Sequence, residues 1–308
     1  MPLHKNVRSA VLASYNSTFV IVPERAAVIG ETVRISKLRR EHGGKGSNQA
    51  IALARLGSKV NIIASVGADT FGQEAIEKWH REGLDCTGVK VSKKETGTAY
   101  VFVFNKGANL MYINTGANGD IDRPFLSDSL KDMDTDYFLT NFELPVPIAM
   151  YGSRLMMKKS KAIINPAPAV PIEPRNFKGL YALVPNETEM KILAGYAPDA
   201  NVDVFQLARK YSKYVEIVAL TLGAHGAFIV SRNREERIPA VRVKETETTG
   251  AGDEWCAAFT FFIGQGRDPF SAASLANRAA AFLIQRIRGP SLVDNLPYYD
   301  DIKDIANS

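Results

Sequence analysis

Two glycine-rich segments hold the residue types best suited to chemistry. The first is Thr248-Thr249-Gly250-Ala251-Gly252-Asp253, followed at once by a very apolar stretch. A helix opening near Asp253 presents unsatisfied backbone N–H groups and the positive end of its dipole. With no Cβ at Gly250 and Gly252, a phosphoryl group can approach that backbone closely. A carboxylate at Asp253 then stands where it can accept the proton of a hydroxyl attacking a γ-phosphate. Asp is also a common helix N-cap, and this segment alone leaves the two roles evenly open. The second segment is Gly43-Gly44-Lys45-Gly46-Ser47-Asn48-Gln49-Ala50. Its glycines admit a ligand to the backbone, Lys45 brings a cation, and Asn48 brings a donor and an acceptor, a set suited to a polyhydroxylated molecule. In isolation it reads more simply as a glycine turn before a helix.

Common phosphate signatures are missing. Gly44-Lys45 is followed by Gly46, so the G-x-x-x-x-G-K-[ST] loop is absent, and Gly250-Ala251-Gly252 lacks the third glycine of G-x-G-x-x-G. The chain has 38 basic and 33 acidic residues, a net charge of +5. Its densest basic clusters, Lys37 to Arg40 and Arg232 to Arg237, are short and read as solvated faces, so no nucleic-acid partner is expected. The apolar stretch Trp255 to Ile263 is far shorter than the ~20 residues of a membrane span, so no membrane partner is expected. The N-terminal residues lack a leader's cleavage pattern, and Cys86 and Cys256 read as reduced thiols; a cytoplasmic location follows as the expectation.

These residues need a scaffold. The chain has 308 residues, 45% hydrophobic and 23% charged, which is ordinary globular usage and enough for one large domain. Short apolar runs predict strands at Ser9–Ala13, Phe19–Val22, Thr32–Ile35 and Val60–Ser65, with a helix over Ser47–Leu56. Thr70 to Gln73 has capping-box spacing for a helix reaching Arg81. Thr98–Phe104 and Leu110–Ile113 read as an antiparallel pair turning at Asn105-Lys106-Gly107. Beyond residue 120 the pattern alternates: strands at Tyr137–Thr140, Ala162–Ile164, Leu180–Val184, Ile217–Thr221 and Ala227–Val230, helices at Pro147–Lys159, Glu187–Leu193, Val204–Tyr214, Asp253–Ile263 and Pro269–Ile287. A further strand ends near Val243. Alternation of this kind predicts an α/β fold, a doubly wound and mostly parallel sheet flanked by helices. Segments near 15–38 and 97–114 do not fit that layer and are expected to form a small β-sheet lid inserted in a single domain over 1–308.

Together the two glycine segments closely resemble the signatures of the ribokinase-like (PfkB) carbohydrate kinases. Ser65-Val66-Gly67-Ala68-Asp69-Thr70-Phe71-Gly72, Asn165-Pro166-Ala167-Pro168-Ala169, Pro185-Asn186-Glu187-Thr188-Glu189 and Thr221-Leu222-Gly223-Ala224-His225-Gly226 resemble further family motifs, all in family order. Gly-Gly-Lys-Gly-x-Asn-Gln with Asn-Pro-Ala-Pro-Ala points toward the ribokinase branch. The resemblance implies ATP-dependent phosphorylation of a primary hydroxyl on a small sugar, a pentose preferred, with Mg²⁺ bridging the phosphates. Asp253 matches the catalytic base and Gly250, Ala251 and Gly252 the anion hole. Asn16, Thr18, Gly44, Lys45, Asn48 and Glu143 match sugar contacts. Asn186, Thr221, Gly223, Gly226 and Asn277 match the nucleotide side, and Glu189 the acid that organises Mg²⁺ through water. Glu247 and Thr249 match a monovalent-cation site, which leaves activation by K⁺ open.

Three positions depart from the family pattern. Thr18 stands where the family usually carries Asp, which makes ribose a poorer expected substrate. Glu247 replaces an Asp. Glu254 and Trp255 replace Thr/Ser-Phe, and Glu254 would repel a γ-phosphate unless it turns away or meets the metal. A nucleoside kinase of the same fold, a phosphosugar kinase and a sugar- or nucleotide-binding relative that has lost catalysis remain alternatives. Lids of this type expose one sheet face, so a homodimer through the lid is expected.

Overall fold

A computed structural model describes residues 6–104, 109–232, 234–244, 248–285 and 291–307. The chain opens with β1 (Arg8–Leu12), β2 (Asn16–Pro23), β3 (Ile35–Gly43), α1 (Lys45–Arg55), β4 (Lys59–Gly67), α2 (Thr70–Arg81), β5 (Asp85–Ser92), β6 (Thr98–Val103) and β7 (Asn109–Asn114). It continues with α3 (Arg123–Lys131), β8 (Tyr137–Asn141), α4 (Val146–Met156), β9 (Lys161–Asn165), β10 (Ala182–Leu183), α5 (Glu187–Leu193), α6 (Val204–Tyr211), β11 (Ile217–Thr221), β12 (Ala227–Ser231) and β13 (Arg234–Ile238). It ends with α7 (Ala251–Gly264), α8 (Pro269–Gln285), α9 (Leu292–Asn295) and α10 (Tyr299–Asn307).

Among the described residues, nine strands form a large sheet in the order β13-β12-β11-β10-β9-β8-β1-β4-β5. Pairing is parallel from β11 across to β5, and antiparallel at β12 and β13. Helices cover both faces, as the sequence pattern predicts. Alternation along β1 sends Val11 into a core shared with Ile51, Leu53, Phe259 and Phe261, while Ala10 and Leu12 join Leu126, Leu130 and Met150 on the other face. Every residue of α7 from Asp253 to Gly264 is buried, so this helix is interior rather than amphipathic. Strand order reverses between β1 and β8, and the carboxyl ends of strands at such a reversal are where open α/β sheets bind ligands. No helix among the described residues is long and apolar enough to cross a membrane.

A separate four-stranded sheet, ordered β3-β2-β6-β7, accounts for the segments that do not alternate. Here β2 runs parallel to β6, and the other pairs are antiparallel. Residues 105–108, where the turn Asn105-Lys106-Gly107 is expected, lie outside the described residues.

Several boundaries differ from the sequence reading, each for a local reason. The strand expected at Thr32–Ile35 begins at Ile35 and runs through the basic cluster to Gly43, because an edge strand can keep Lys37, Arg39 and Arg40 in solvent while its backbone pairs with β2. Helix α2 is capped one residue earlier than expected: Asp69 accepts the Gly72 N–H at 2.9 Å. The strand placed near Val243 is instead Arg234–Ile238, and residues 239–244 are irregular. Helix α7 starts at Ala251, so Asp253 is not its cap; that position falls to Gly250.

Candidate active site

The two glycine segments meet through α1 and α7. Gly44 is the N-cap of α1, with φ of +95°. A Cβ there would lie 2.7 Å from the Ser14 carbonyl oxygen, and one on Gly46 would lie 2.4 Å from Ala13 Cα. The missing side chains let α1 start directly against the end of β1. That close approach carries Lys45, Asn48 and Gln49 to the first turn of α7.

Gly250 caps α7 in the left-handed conformation, with φ of +80°, and a Cβ added to Gly252 would meet nothing within 4 Å. The helix start is open at Gly252, a shape that suits a phosphoryl group. Asp253 is the third residue of the helix and is buried. Its Oδ2 accepts Asn48 Nδ2 at 3.0 Å, its Oδ1 accepts Gln49 Nε2 at 3.2 Å, and Lys45 Nζ stands 4.0 Å from Oδ1. Asp253 draws the Lys45 ammonium above its ordinary pKa, against the opposing effect of burial, so Lys45 stays charged. Gln49 also donates to Asn165 Oδ1 at 3.1 Å, and Asn165 donates to the Val184 carbonyl at 2.8 Å. Buried Asn48 Oδ1 and Gln49 Oε1 have no partner among the described residues.

At the strand reversal Glu143 bridges the two sides. Its Oε2 accepts Ser14 Oγ at 2.6 Å and the Lys45 N–H at 2.8 Å. Burial pushes the Glu143 carboxyl up, and Lys45 and the Ser14 hydroxyl pull it back. Nearby, Asn16 Oδ1 accepts Asn118 Nδ2 at 3.1 Å. Thr18 Oγ1 donates to the Asn16 carbonyl at 3.4 Å and crowds Gly43, where a Cβ would lie 2.3 Å from it.

On the other flank, Asn186 and Glu189 form a reciprocal capping box at the start of α5, with both bonds at 2.8 Å. Burial raises the Glu189 carboxyl, while the Asn186 N–H and Lys45 lower it, so Glu189 lies within the electrostatic reach of the Lys45–Asp253 pair. Asn186 forms a parallel bridge with Thr221, which brings the loops after β10 and β11 together. Gly223 and Gly226 flank a short 3₁₀ turn there, both with positive φ. Asn277 is buried and its amide is engaged within the protein: it accepts Trp255 Nε1 at 2.8 Å and donates to the carbonyls of Ile238 and Pro239. Thr249 immediately precedes the Gly250 cap, and Glu247 lies outside the described residues.

Glu254 does not face the cradle. Its side chain is fully buried, and neither carboxylate oxygen has a partner among the described residues. Burial pushes it up to about 8, so it is neutral at pH 7 and cannot repel a phosphate as an anion.

Among the described residues no group of three or more His, Cys, Asp or Glu side chains could hold a metal. Mg²⁺ keeps several waters and binds through one or two carboxylates plus substrate phosphates, so Glu189 beside the cradle is a donor of the right kind. Sequence reasoning missed Ser14, Gln49, Asn118 and Asn165 as parts of this network. Only the position of Gln49 next to Asn48, and of Asn165 at a strand's carboxyl end, could have flagged them.

The family model described as pfkB family carbohydrate kinase matches residues 8–292. A ribokinase of Schizosaccharomyces pombe is 30% identical over 304 residues, covering 94% of this chain and 96% of that protein. A deoxyribokinase of Salmonella typhi is 31% identical over 288 residues, covering 89% and 92%. The crystal structure of a ribokinase from Thermotoga maritima superposes with a TM-score of 0.84 at 27% identity, covering 99% of this chain and 100% of that one. With this match along its length, the chain belongs to the pfkB family and is an ATP-dependent carbohydrate kinase.

Proposed function

We propose that this chain transfers the γ-phosphoryl group of ATP to a primary hydroxyl of a small sugar, a pentose before other acceptors. The observation that carries the reading is the setting of Asp253: third in α7, just inside a helix start that is open at Gly252, and oriented by Asn48 and Gln49 from α1. Asp253 takes the proton of the attacking hydroxyl. The first turn of α7, with Gly250, Ala251 and Gly252, stabilises charge on the transferring group. Lys45, held by Asp253 and by its backbone bond to Glu143, supplies a cation beside the reacting oxygens. Mg²⁺, when bound near Glu189, would neutralise phosphate charge. Asn186, Thr221, Gly223 and Gly226 form the nucleotide side, and Asn277 supports its wall by fixing Trp255 and the 238–239 backbone.

Asn16, Thr18, Gly44, Lys45, Asn48 and Glu143 receive the sugar, and the small sheet acts as a lid that excludes water. Register favours a sugar over a nucleoside. Phe19, Tyr100, Phe102 and Tyr112 share one face of the small sheet, opposite the face carrying Thr18, so the aromatic surface for stacking a base lies away from the acceptor residues. On this reading residues 1–308 are one kinase unit. Half-exposed Leu110, Met111, Tyr112 and Ile113 on β7 support a homodimer through the lid. Unpaired Cys86 and Cys256 fit a cytoplasmic location.

ADP release should be measured across pentoses, hexoses and nucleosides, with and without K⁺. Highest kcat/KM on a pentose is the expected result, and the K⁺ arm tests a cation held by Glu247 and Thr249. Preference for a nucleoside, or ATP binding without turnover on any acceptor, would overturn the reading.

A further inference from the structure

Glu41 lies in β3, and register pairs it with Thr18 across the small sheet. Its side chain is only 10% exposed. One carboxylate oxygen pairs with the Arg39 guanidinium. The other accepts the N–H of Leu292 at 3.1 Å, from the far end of the chain. Leu292 opens α9, whose cap residue, Ser291, makes no side-chain capping bond and leaves its buried hydroxyl without a partner among the described residues. Glu41 therefore supplies from a distance the acceptor that a helix start normally finds locally.

The Leu292 side chain is buried and stands on Gly250. A Cβ on Gly250 would lie 2.5 Å from Leu292 Cδ2 and 2.6 Å from Cδ1. The rest of the segment is anchored elsewhere: Lys78 pairs with Asp294 at 2.9 Å, and Arg55 donates to the Leu296 carbonyl at 2.8 Å. Loss of Glu41 would thus free the Leu292 end while the remainder of α9 stays tied to α1 and α2.

We infer that Glu41 is a positioning residue for the phosphoryl cradle, acting through Leu292 to hold Gly250 and the first turn of α7. It links the acceptor-side sheet to the phosphate-side helix. The inference rests on the reading of Gly250–Asp253 as that cradle.

The test compares wild type with Glu41→Ala, Glu41→Gln, Leu292→Ala and the Glu41→Ala/Leu292→Ala double variant, using ATP and ribose, with far-UV circular dichroism to confirm folding. Glu41→Ala should lower kcat/KM for ATP roughly tenfold, with KM for ribose changed less than about twofold. Glu41→Gln keeps an acceptor for the Leu292 N–H and should recover most of the loss. Leu292→Ala should reproduce the loss, and the double variant should be no worse than the poorer single one, since both act on one contact. A rise in KM for ribose with ATP parameters unchanged, additive losses, or no change in any variant would overturn the inference. Failure of the cradle reading itself shows separately, as near-normal turnover by Asp253→Asn.

Discussion

At the junction of α1 and α7, buried charges meet polar partners from distant parts of the chain. Asp253 is met by Asn48, Gln49 and Lys45, and Glu143 by Ser14 and the Lys45 backbone. In the small sheet, by contrast, Leu38, Leu110, Met111 and Tyr112 remain largely exposed, and the sheet stands apart from the doubly covered one. The first region is tightly packed and fixes atoms; the second keeps apolar surface in reserve for a substrate or a second copy. On the proposed reading the contrast is a division of labour: chemistry where backbone glycines let helices touch, and acceptor selection on the small sheet.

If that division is right, a change at Thr18 should alter acceptor choice and leave the phosphate side alone. Thr18→Asp offers two strong acceptor oxygens in place of one hydroxyl. It should raise kcat/KM for ribose about ten- to a hundredfold, with KM for ATP unchanged. Efficient ribose turnover by wild type, with no gain in the variant, would remove Thr18 from the specificity argument. A smaller effect is expected on assembly. Tyr112→Lys puts a charge on the exposed aromatic face of the small sheet, opposite Thr18, and should weaken self-association roughly tenfold or more by sedimentation velocity, with little change in monomer Tm. A wild-type chain already monomeric at micromolar concentration would break the comparison at that point.

The smallest effect probes an unpaired carboxyl buried beside the junction. Glu254 is raised to about 8 by burial, with Arg55 lowering it and Asp253 raising it further. An ordinary glutamate titrates near 4.5. The contribution of Glu254 to stability is therefore fully present below about 4.5, falls as pH rises from there, and is gone once pH passes about 8. Glu254→Gln removes that dependence. Its Tm advantage over wild type should be larger at pH 9 than at pH 5, by about 4 °C or more in calorimetry. An equal difference at both pH values would mean that Glu254 is paired in solution.

How much of this was readable from the chain follows from how local each signal is. Helix α5 matches its predicted span because its capping signal, Asn186 with Glu189, is contained within a few residues. The sequence reading has no strand at edge strand β5 and places the one at β13 several residues late. Their burial is patchy, and Arg234-Glu235-Glu236-Arg237 looks like a solvated charge run until a neighbouring strand pairs its backbone. Asp253 stood out because glycines precede it. Gln49 and Asn165 did not, since an amide's role becomes visible only when folding joins positions separated by more than a hundred residues. The turning of Glu254 into the core was equally hidden, because adjacent acids on a helix give no local sign of which one faces the cleft.

The central claim is that Asp253, held by α1 at the start of α7, is the base for phosphoryl transfer. Its most direct test is kcat for Asp253→Asn beside ATP binding measured by calorimetry on the same preparation. The account predicts retained ATP binding and a kcat lowered roughly 10²–10⁴-fold. Near-wild-type turnover by Asp253→Asn would contradict it.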